Sequence, residues 1–403
     1  MRAARRSRAA AALLAAGALA APAGARAPPP PRLSATASIL VEASTGRVLT
    51  ARRPDAERPI ASTTKMMTVL LALEREPLRR VLVVPPYAIG PAESRVGLVT
   101  GERIRVADLV RAALLPSAND AAYALAVRAA GSRDAFVGLM NARARRLALA
   151  HTHFSTPVGL DAPGNFSSAR DLARLARVLR HEPFARRTMD EGRAVLRSGA
   201  RQRVVLNRNR LVRAVPWMNG VKTGHTLGAG YVLVGSARRG GLGLVSVVLG
   251  TPSEAARDAD TLALMRWGFR TFRWAQAVRR GQELARLGVS DGPEHVALLA
   301  RRGIRRLLRR ADRVHIRVHA PRELLGPLPR GAIVGSATVG AGGRVLGRVD
   351  LLTARAVPGH SGLARAVRFL GPPGMVVLVV ALVLAAFAIR RRRRPRSERM
   401  RTA

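Results

Sequence analysis

From residue 66 the chain reads Met66-Met67-Thr68-Val69-Leu70-Leu71-Ala72-Leu73, apolar on every side of a helical projection. A helix without a polar face is a buried one, so the pattern predicts a core helix with Ser62 at its N-terminus. Ahead of it, residues 37–42 and 47–50 flank the turn Ser44-Thr45-Gly46 and predict a β-hairpin. Helical periodicity returns over 106–115, stops at Pro116, and resumes over 120–130, 132–149 and 168–180, which together predict a helical cluster. After Pro216 the period changes. Residues 220–226, 231–238 and 244–249 read as three strands joined by glycine-rich turns, short enough to make them antiparallel neighbours. A helix over 253–272, with Met265, Trp267 and Phe269 available for packing, is expected to cover that sheet. Beyond it, 283–287, 296–299, 314–318, 333–339 and 345–351 are short strand patterns separated by glycine and proline, as in a small all-β domain. Residues 301–310, the most basic stretch there, read as a solvated helix or loop. The fold class is α+β, and there is no internal repeat.

Both ends carry segments of another kind. Arg2, Arg5, Arg6 and Arg8 precede an Ala/Leu-rich run over 9–21 and the small-x-small site Ala25-Arg26-Ala27. This predicts a signal peptide over 1–27, with an uncleaved N-terminal anchor as the rival. Residues 370–389 are apolar or neutral, and Arg390 to Arg394 follow without a break. The strictly apolar part from Met375 to Ile389 would rise about 22 Å, short of a hydrocarbon core of roughly 30 Å, so Gly371-Pro372-Pro373-Gly374 must be counted in at the outer interface. The expectation is a transmembrane helix over 370–389 with a basic cytoplasmic tail over 390–403, the bulk of the chain lying outside; a buried core helix is the alternative. Between these ends, a catalytic domain over 33–276 and a β-rich domain over 278–354 are expected.

The net charge of +44 first suggests a nucleic-acid partner. With the leader and the tail set aside about +32 remains, on a segment expected to be exported, where anionic lipid and acidic wall polymers are met before DNA. Aromatic residues make only 3% of the chain, too few to interleave a single-strand-binding surface, so no nucleic-acid partner is expected. The chain has no cysteine, which excludes a thiol nucleophile, a disulfide framework and a thiolate metal site. His315 and His319 have the helical spacing of metal ligands, but the alternation of 314–318 is that of a strand, which would hold them roughly 13 Å apart. No metal or cofactor is expected.

Of sixty-nine basic residues only Lys65 and Lys222 are lysine. Arginine can replace lysine wherever a positive charge or a long stem suffices. It cannot do so where a deprotonated amine is the reagent, because guanidinium stays protonated while a buried ammonium can lose its proton near neutral pH. The two surviving lysines therefore mark candidate chemistry. They fall in two of three short motifs in fixed order, Ser62-x-x-Lys65, Ser117-Ala118-Asn119 and Lys222-Thr223-Gly224. Positions three apart share a helix face, so the Lys65 amine can reach the Ser62 hydroxyl, a poor nucleophile until a base takes its proton. Desolvation and the Lys222 cation would both lower the pKa of Lys65 towards that task. A strand-borne Lys222 beside Thr223 suits a substrate carboxylate, and Gly224 lets a substrate lie along the strand edge.

The motif set, with Ala37-Ser38-Ile39-Leu40-Val41, Leu115-Pro116-Ser117-Ala118-Asn119-Asp120, Gly159-Leu160-Asp161, Ser168-Ala169-Arg170-Asp171-Leu172 and Asn219-Gly220-Val221-Lys222-Thr223-Gly224-His225-Thr226, resembles the serine-type D-Ala-D-Ala carboxypeptidases. These are the low-molecular-mass penicillin-binding proteins of the peptidase S11 family. The likeness covers nearly all of 37–354, and the β-rich part followed by a C-terminal membrane anchor is similar too. It implies a serine β-lactamase/penicillin-binding-like catalytic domain, an antiparallel sheet flanked by helices plus a helical cluster. It further implies Ser62 as nucleophile, Lys65 as base and Ser117, with Lys222, as the proton path to the leaving amine. Asn119 would hold the substrate's peptide group, Lys222 and Thr223 its terminal carboxylate, and the N–H groups of Ser62 and His225 the oxyanion, with Gly224 at the substrate edge. The implied partners are a peptidoglycan stem peptide ending in D-Ala-D-Ala and β-lactams as covalent inhibitors. The implied location is the outer side of the cell membrane, held there by the C-terminal helix.

Three other readings share parts of this pattern. A class A β-lactamase would need a Glu-x-x-Leu-Asn type motif, and none occurs between Asn119 and Lys222. A D,D-endopeptidase acting on cross-links, or a non-catalytic wall-binding scaffold, would keep the same fold.

Overall fold

The computed structural model describes residues 28–359 except 89, 92, 291 and 292, together with 374, 376–377 and 379–390. The expected signal peptide lies outside the described residues, as does the basic tail from 391 onward. The chain divides into two compact units, one reaching Arg273 and including 309–311, the other formed by 274–308 and the residues from Asp312.

The first unit is built on a five-stranded antiparallel sheet. Its strands are β1 (Ala37–Glu42), β2 (Val48–Arg52), β3 (Met218–Thr226), β4 (Gly230–Arg239) and β5 (Leu242–Thr251), in the order β2-β1-β5-β4-β3. Every residue of β1 is buried, which follows from its hydrophobic run and its inner position, with Ile39 opposite Val247 of β5. Among the described residues of this unit the helices are α1 (Lys65–Arg75), α2 (Val106–Leu114), α3 (Asn119–Ala130), α4 (Arg133–Arg146), α5 (Ala169–Leu179), α6 (Pro183–Asp190), α7 (Arg210–Ala214) and α8 (Glu254–Thr271). Helix α8 packs on β4 and β5, α5 packs on β1 and β5, and α1 sits among α2, α3, α4 and α5. As its composition requires, α1 is buried continuously from Lys65 to Ala72. Serine caps set three helix starts. Ser132, Ser168 and Ser253 each accept from the N–H three residues on, at 3.1, 3.2 and 3.1 Å.

Strand β3 pairs with β4 through Lys222 opposite Val234 and Thr223 opposite Leu233, and no strand among the described residues covers its other edge. The strand packs against the turn at Ala61–Thr64. The turn of α6, the hairpin Arg193–Leu196 with Arg203–Leu206, and the short α7 are elements that the hydrophobic pattern does not announce. In that hairpin Val205 is buried while Val204 and Leu206 are exposed, so there is too little apolar signal to read.

The second unit holds a six-stranded sheet in the order Val314–His319, Ile333–Ala341, Arg344–Thr353, His295–Ala300, Glu283–Val289, Glu323–Leu324. The last pair is parallel and the others are antiparallel. His315 and His319 do lie on a strand. The basic stretch expected as a solvated helix or loop is instead the strand Ile304–Arg309. Ile304, Leu307 and Leu308 are its buried anchors, and the Arg305 guanidinium lies 5.0 Å from the centre of the Trp274 ring, so the arginines decorate a packed strand.

Among the described residues no helix is long and apolar enough to cross a membrane. Residues 376–377 and 379–390 are helical, and Val376, Val380, Leu384 and Phe387 on them are exposed, while 370–373, 375 and 378 of the expected span lie outside the described residues.

One buried ion pair ties the loop before α2 to the 203–206 strand. Glu102 receives Arg203 Nη1 and Nη2 at 2.7 and 2.9 Å and the Ala200 N–H at 2.8 Å, with the Glu102 and Arg203 side chains only 1% and 7% exposed. Removing one partner strands the other charge in the interior. Glu102→Ala is expected to lower unfolding stability by about 3 kcal/mol, measured by urea denaturation of the purified protein.

Candidate active site

Residues Ala61–Thr64 form a 3-10 turn that runs directly into α1, so Ser62 stands one turn ahead of the α-helix and Lys65 is its first residue. The turn is fixed by the Thr63 N–H and hydroxyl, both donating to the Ile60 carbonyl at 3.2 and 2.6 Å. Ala61 is held at φ +48°, a left-handed conformation that non-glycine residues seldom adopt. The Lys65 amine is wholly buried, lies 2.8 Å from Ser62 Oγ, and donates to the Val158 carbonyl at 2.6 Å.

Residues 157–161 brace this arrangement. Thr68 of α1 donates to the Pro157 carbonyl at 2.6 Å, and Asp161 accepts from Thr226 Oγ1 at 2.7 Å and from the Gly228 N–H at 2.9 Å, beyond the end of β3. One short segment therefore ties the nucleophile's helix to the substrate-edge strand. Gly159, at φ +84°, passes so close that a Cβ there would lie 2.2 Å from the Ala61 carbonyl oxygen. A Cβ on Gly224 would come within 3.0 Å of the Ser62 nitrogen and 2.7 Å of Val232 Cγ2. Glycine at 224 thus lets β3 approach the nucleophile's backbone.

Ser117 sits between α2 and α3 at φ +67°, and its hydroxyl is buried without a hydrogen-bond partner. Asn119 opens α3; its Nδ2 donates to Glu93 Oε2 at 2.6 Å while its Oδ1 is buried without a partner. The Glu93 carboxylate also accepts from the Tyr87 hydroxyl at 2.6 Å and the Gly90 N–H at 2.9 Å. Lys222 is buried beneath β3 and donates to the Thr223 carbonyl at 2.9 Å.

Burial dominates the electrostatics. It lowers the Lys65 pKa to about 7, against the Glu93 and Asp120 carboxylates that pull it up, and Arg208 adds to the depression. Burial, then the nearby Lys65, Arg208 and Arg257 cations, push Lys222 well below its usual value too. Burial works against ionisation of Glu93, but hydrogen bonds from Asn119 and Tyr87 hold its carboxyl below the usual range.

Ser62, Ser117, Thr223, Gly224 and His225 line a single cavity of about 410 Å³. The His225 ring stacks on Tyr231 at 4.0 Å. Lys65, Asn119 and Lys222 are buried and do not line it, and Lys65 touches it through Ser62. The same cavity is lined by Arg208, Arg210, Arg213, Arg257 and Glu254, none of which the motifs mark. In a chain so rich in arginine those residues carry no signal. Glu93 carries a faint one, as the lone acid between Glu76 and Glu102.

A family model described as D-alanyl-D-alanine carboxypeptidase, Peptidase_S11, matches residues 24–253. The chain belongs to this peptidase family. It is similar to the D-alanyl-D-alanine carboxypeptidase DacA of Escherichia coli, 34% identical over 353 residues that cover 81% of this chain and 85% of that one. With DacC of Escherichia coli it shares 39% identity over 254 residues, 60% of this chain and 63% of the relative. Among solved structures, penicillin binding protein 6B from Escherichia coli superposes with a TM-score of 0.65 at 30% identity, covering 82% of this chain and 98% of that one. Penicillin binding protein 5 from Haemophilus influenzae superposes with a TM-score of 0.62 at 30% identity, covering 82% and 99%. The α+β penicillin-binding fold followed by a β unit is thus common to the family and this chain.

Because Gly159 touches Ala61 through backbone, a side chain there cannot be accommodated by a rotamer change. Gly159→Ala is expected to cost about 2 kcal/mol of stability and to displace the Ser62 turn, seen together as a lower melting temperature and weaker labelling by fluorescent penicillin.

Proposed function

We propose that the protein is a serine D-Ala-D-Ala carboxypeptidase that removes the terminal D-alanine of peptidoglycan pentapeptide stems and is acylated by β-lactams. The observation that carries this reading is the buried Lys65 amine, 2.8 Å from Ser62 Oγ and with a pKa near 7. At neutral pH a substantial fraction of such an amine is uncharged and able to take the serine's proton.

Ser62 Oγ attacks the penultimate D-alanine carbonyl while Lys65 accepts its proton. The oxyanion develops against the N–H groups of Ser62 and His225, a reading supported by the close approach of Gly224 to the Ser62 nitrogen. The substrate lies along the open edge of β3, its terminal carboxylate at Lys222 and Thr223. Arg208 and Arg257 in the cavity wall add positive potential there. The C–N bond breaks, and the proton reaches the leaving amine through Ser117, whose buried hydroxyl has no other partner, with Lys222 behind it. Water then hydrolyses the acyl-enzyme. Asn119 holds the substrate's peptide group through Oδ1, since Glu93 occupies its Nδ2 and leaves that acceptor unpartnered. The chemistry uses these side chains and water, with no cofactor.

The substrate class implies export. In this reading residues 1–27 direct export, and the apolar helix reaching residue 390, exposed at Val376, Val380, Leu384 and Phe387, inserts in the membrane with the arginine tail on the cytoplasmic side.

Fluorescent penicillin is expected to label the protein covalently and Ser62→Ala not at all. Lys65→Arg should slow acylation by about a thousandfold and lower the melting temperature, because a guanidinium cannot give up its charge in so dry a site. Labelling of Ser62→Ala, or rapid acylation of Lys65→Arg, contradicts the assignment. A base with a lowered pKa is active above that pKa, so acylation should rise with pH through a midpoint near 7. Glu93 pulls Lys65 upward, so Glu93→Gln should move that midpoint to lower pH.

A further inference from the structure

The cavity beside Ser62 carries more positive charge than one α-carboxylate needs. Its volume of about 410 Å³ falls among pockets of roughly 300–1,000 Å³ that enclose drug-sized ligands. Four guanidinium groups line it, from Arg208, Arg210, Arg213 and Arg257, against the single carboxylate of Glu254. That carboxylate is already shared, Oε1 with Arg257 at 2.9 Å and Oε2 with Arg210 at 3.2 Å. Arg213 is held by its stem: Gly192 lies beneath it, where a Cβ would meet Arg213 Cγ at 2.7 Å. Its exposed guanidinium has no hydrogen bond or ion pair among the described residues.

The position of these two arginines gives the surplus charge a direction. The reacting carbonyl belongs at Gly224 and His225, because Gly224 is the point of closest approach to the Ser62 backbone. Along β3 the carboxylate-binding pair Lys222 and Thr223 comes before that point, and α7, which bears Arg210 and Arg213, comes before the strand begins at Met218. Arg210 and Arg213 line the same cavity as Thr223 and Gly224, so a side chain that extends from the terminal α-carboxylate into that cavity comes within their field.

Resting on the hydrolase reading above, we propose that this end of the cavity is a leaving-group subsite for amines that carry a second carboxylate. Bonds from D-alanine to an acidic D-residue then become substrates. The chemistry is unchanged. Ser62 Oγ bonds to the D-alanine carbonyl carbon, the C–N bond breaks, the serine proton ends on the departing amine, and water splits the ester.

The test compares acyl-peptides ending in D-Ala-D-Glu and D-Ala-D-Gln, equal in shape and different by one charge, with D-Ala-D-Ala as reference. The kcat/KM ratio of the D-Glu to the D-Gln peptide is expected to be about fivefold for the wild-type protein, from two exposed guanidinium contacts, and to fall as salt is raised from 50 to 500 mM. In the double variant Arg210→Gln, Arg213→Gln the ratio should approach one, whatever the absolute rates. A wild-type ratio near one, or an undiminished ratio in the double variant, overturns the subsite. Failure to release D-alanine from D-Ala-D-Ala would instead remove the hydrolase reading, and the subsite with it.

Discussion

The structure turns on keeping one primary amine dry beside a hydroxyl. Burial of an isolated ammonium is so unfavourable that the group gives up its proton instead, which is the state a base requires. Lys65 reaches that state at the head of a helix with no polar face, where among the described residues its amine hydrogen-bonds Ser62 Oγ and the Val158 carbonyl. Two carboxylates, Glu93 and Asp120, limit the depression, so the pKa settles near 7 rather than far below it. A balance of this kind serves chemistry at neutral pH better than either extreme.

Such a balance needs rigid walls, and the surroundings of Ser62 supply them from three directions. The 157–161 segment presses Gly159 against Ala61 and holds Lys65 and Thr68 through backbone carbonyls. Strand β3 closes in at Gly224, and Asp161 anchors the residues just beyond that strand. On the third side Ser117 and Asn119 bring buried hydroxyl and amide oxygens that lack partners in the resting protein.

Much of this was legible in the sequence because it depends on patterns that chemistry makes strict. The apolar run from Met66 to Leu73 has no polar face and so reads as a buried helix, and in an arginine-dominated chain Lys65 and Lys222 stand out as the two positions that keep lysine. What escaped depends on long-range proximity. Glu93 reaches Asn119 across 26 positions, and nothing local to the Gly-Pro-Ala-Glu stretch announces it. The cavity arginines are hidden by the abundance of their own residue type. The strand Ile304–Arg309 was misread for the same reason, its buried Ile304, Leu307 and Leu308 outnumbered by charge. The hairpin at 193–206 is steadied by the Glu102–Arg203 pair, a contact between residues 101 apart that no window of sequence contains.

Because the chain has only two lysines, isotopic labelling of lysine at the ε-carbon gives two side-chain signals, assigned by comparison with Lys65→Arg. Following those signals from pH 5 to 11 in the resting protein tests the central claim most directly. The account predicts that the Lys65 amine titrates near pH 7. A midpoint close to 10, the value of a solvated lysine, in protein that still acylates with penicillin at full rate would contradict it.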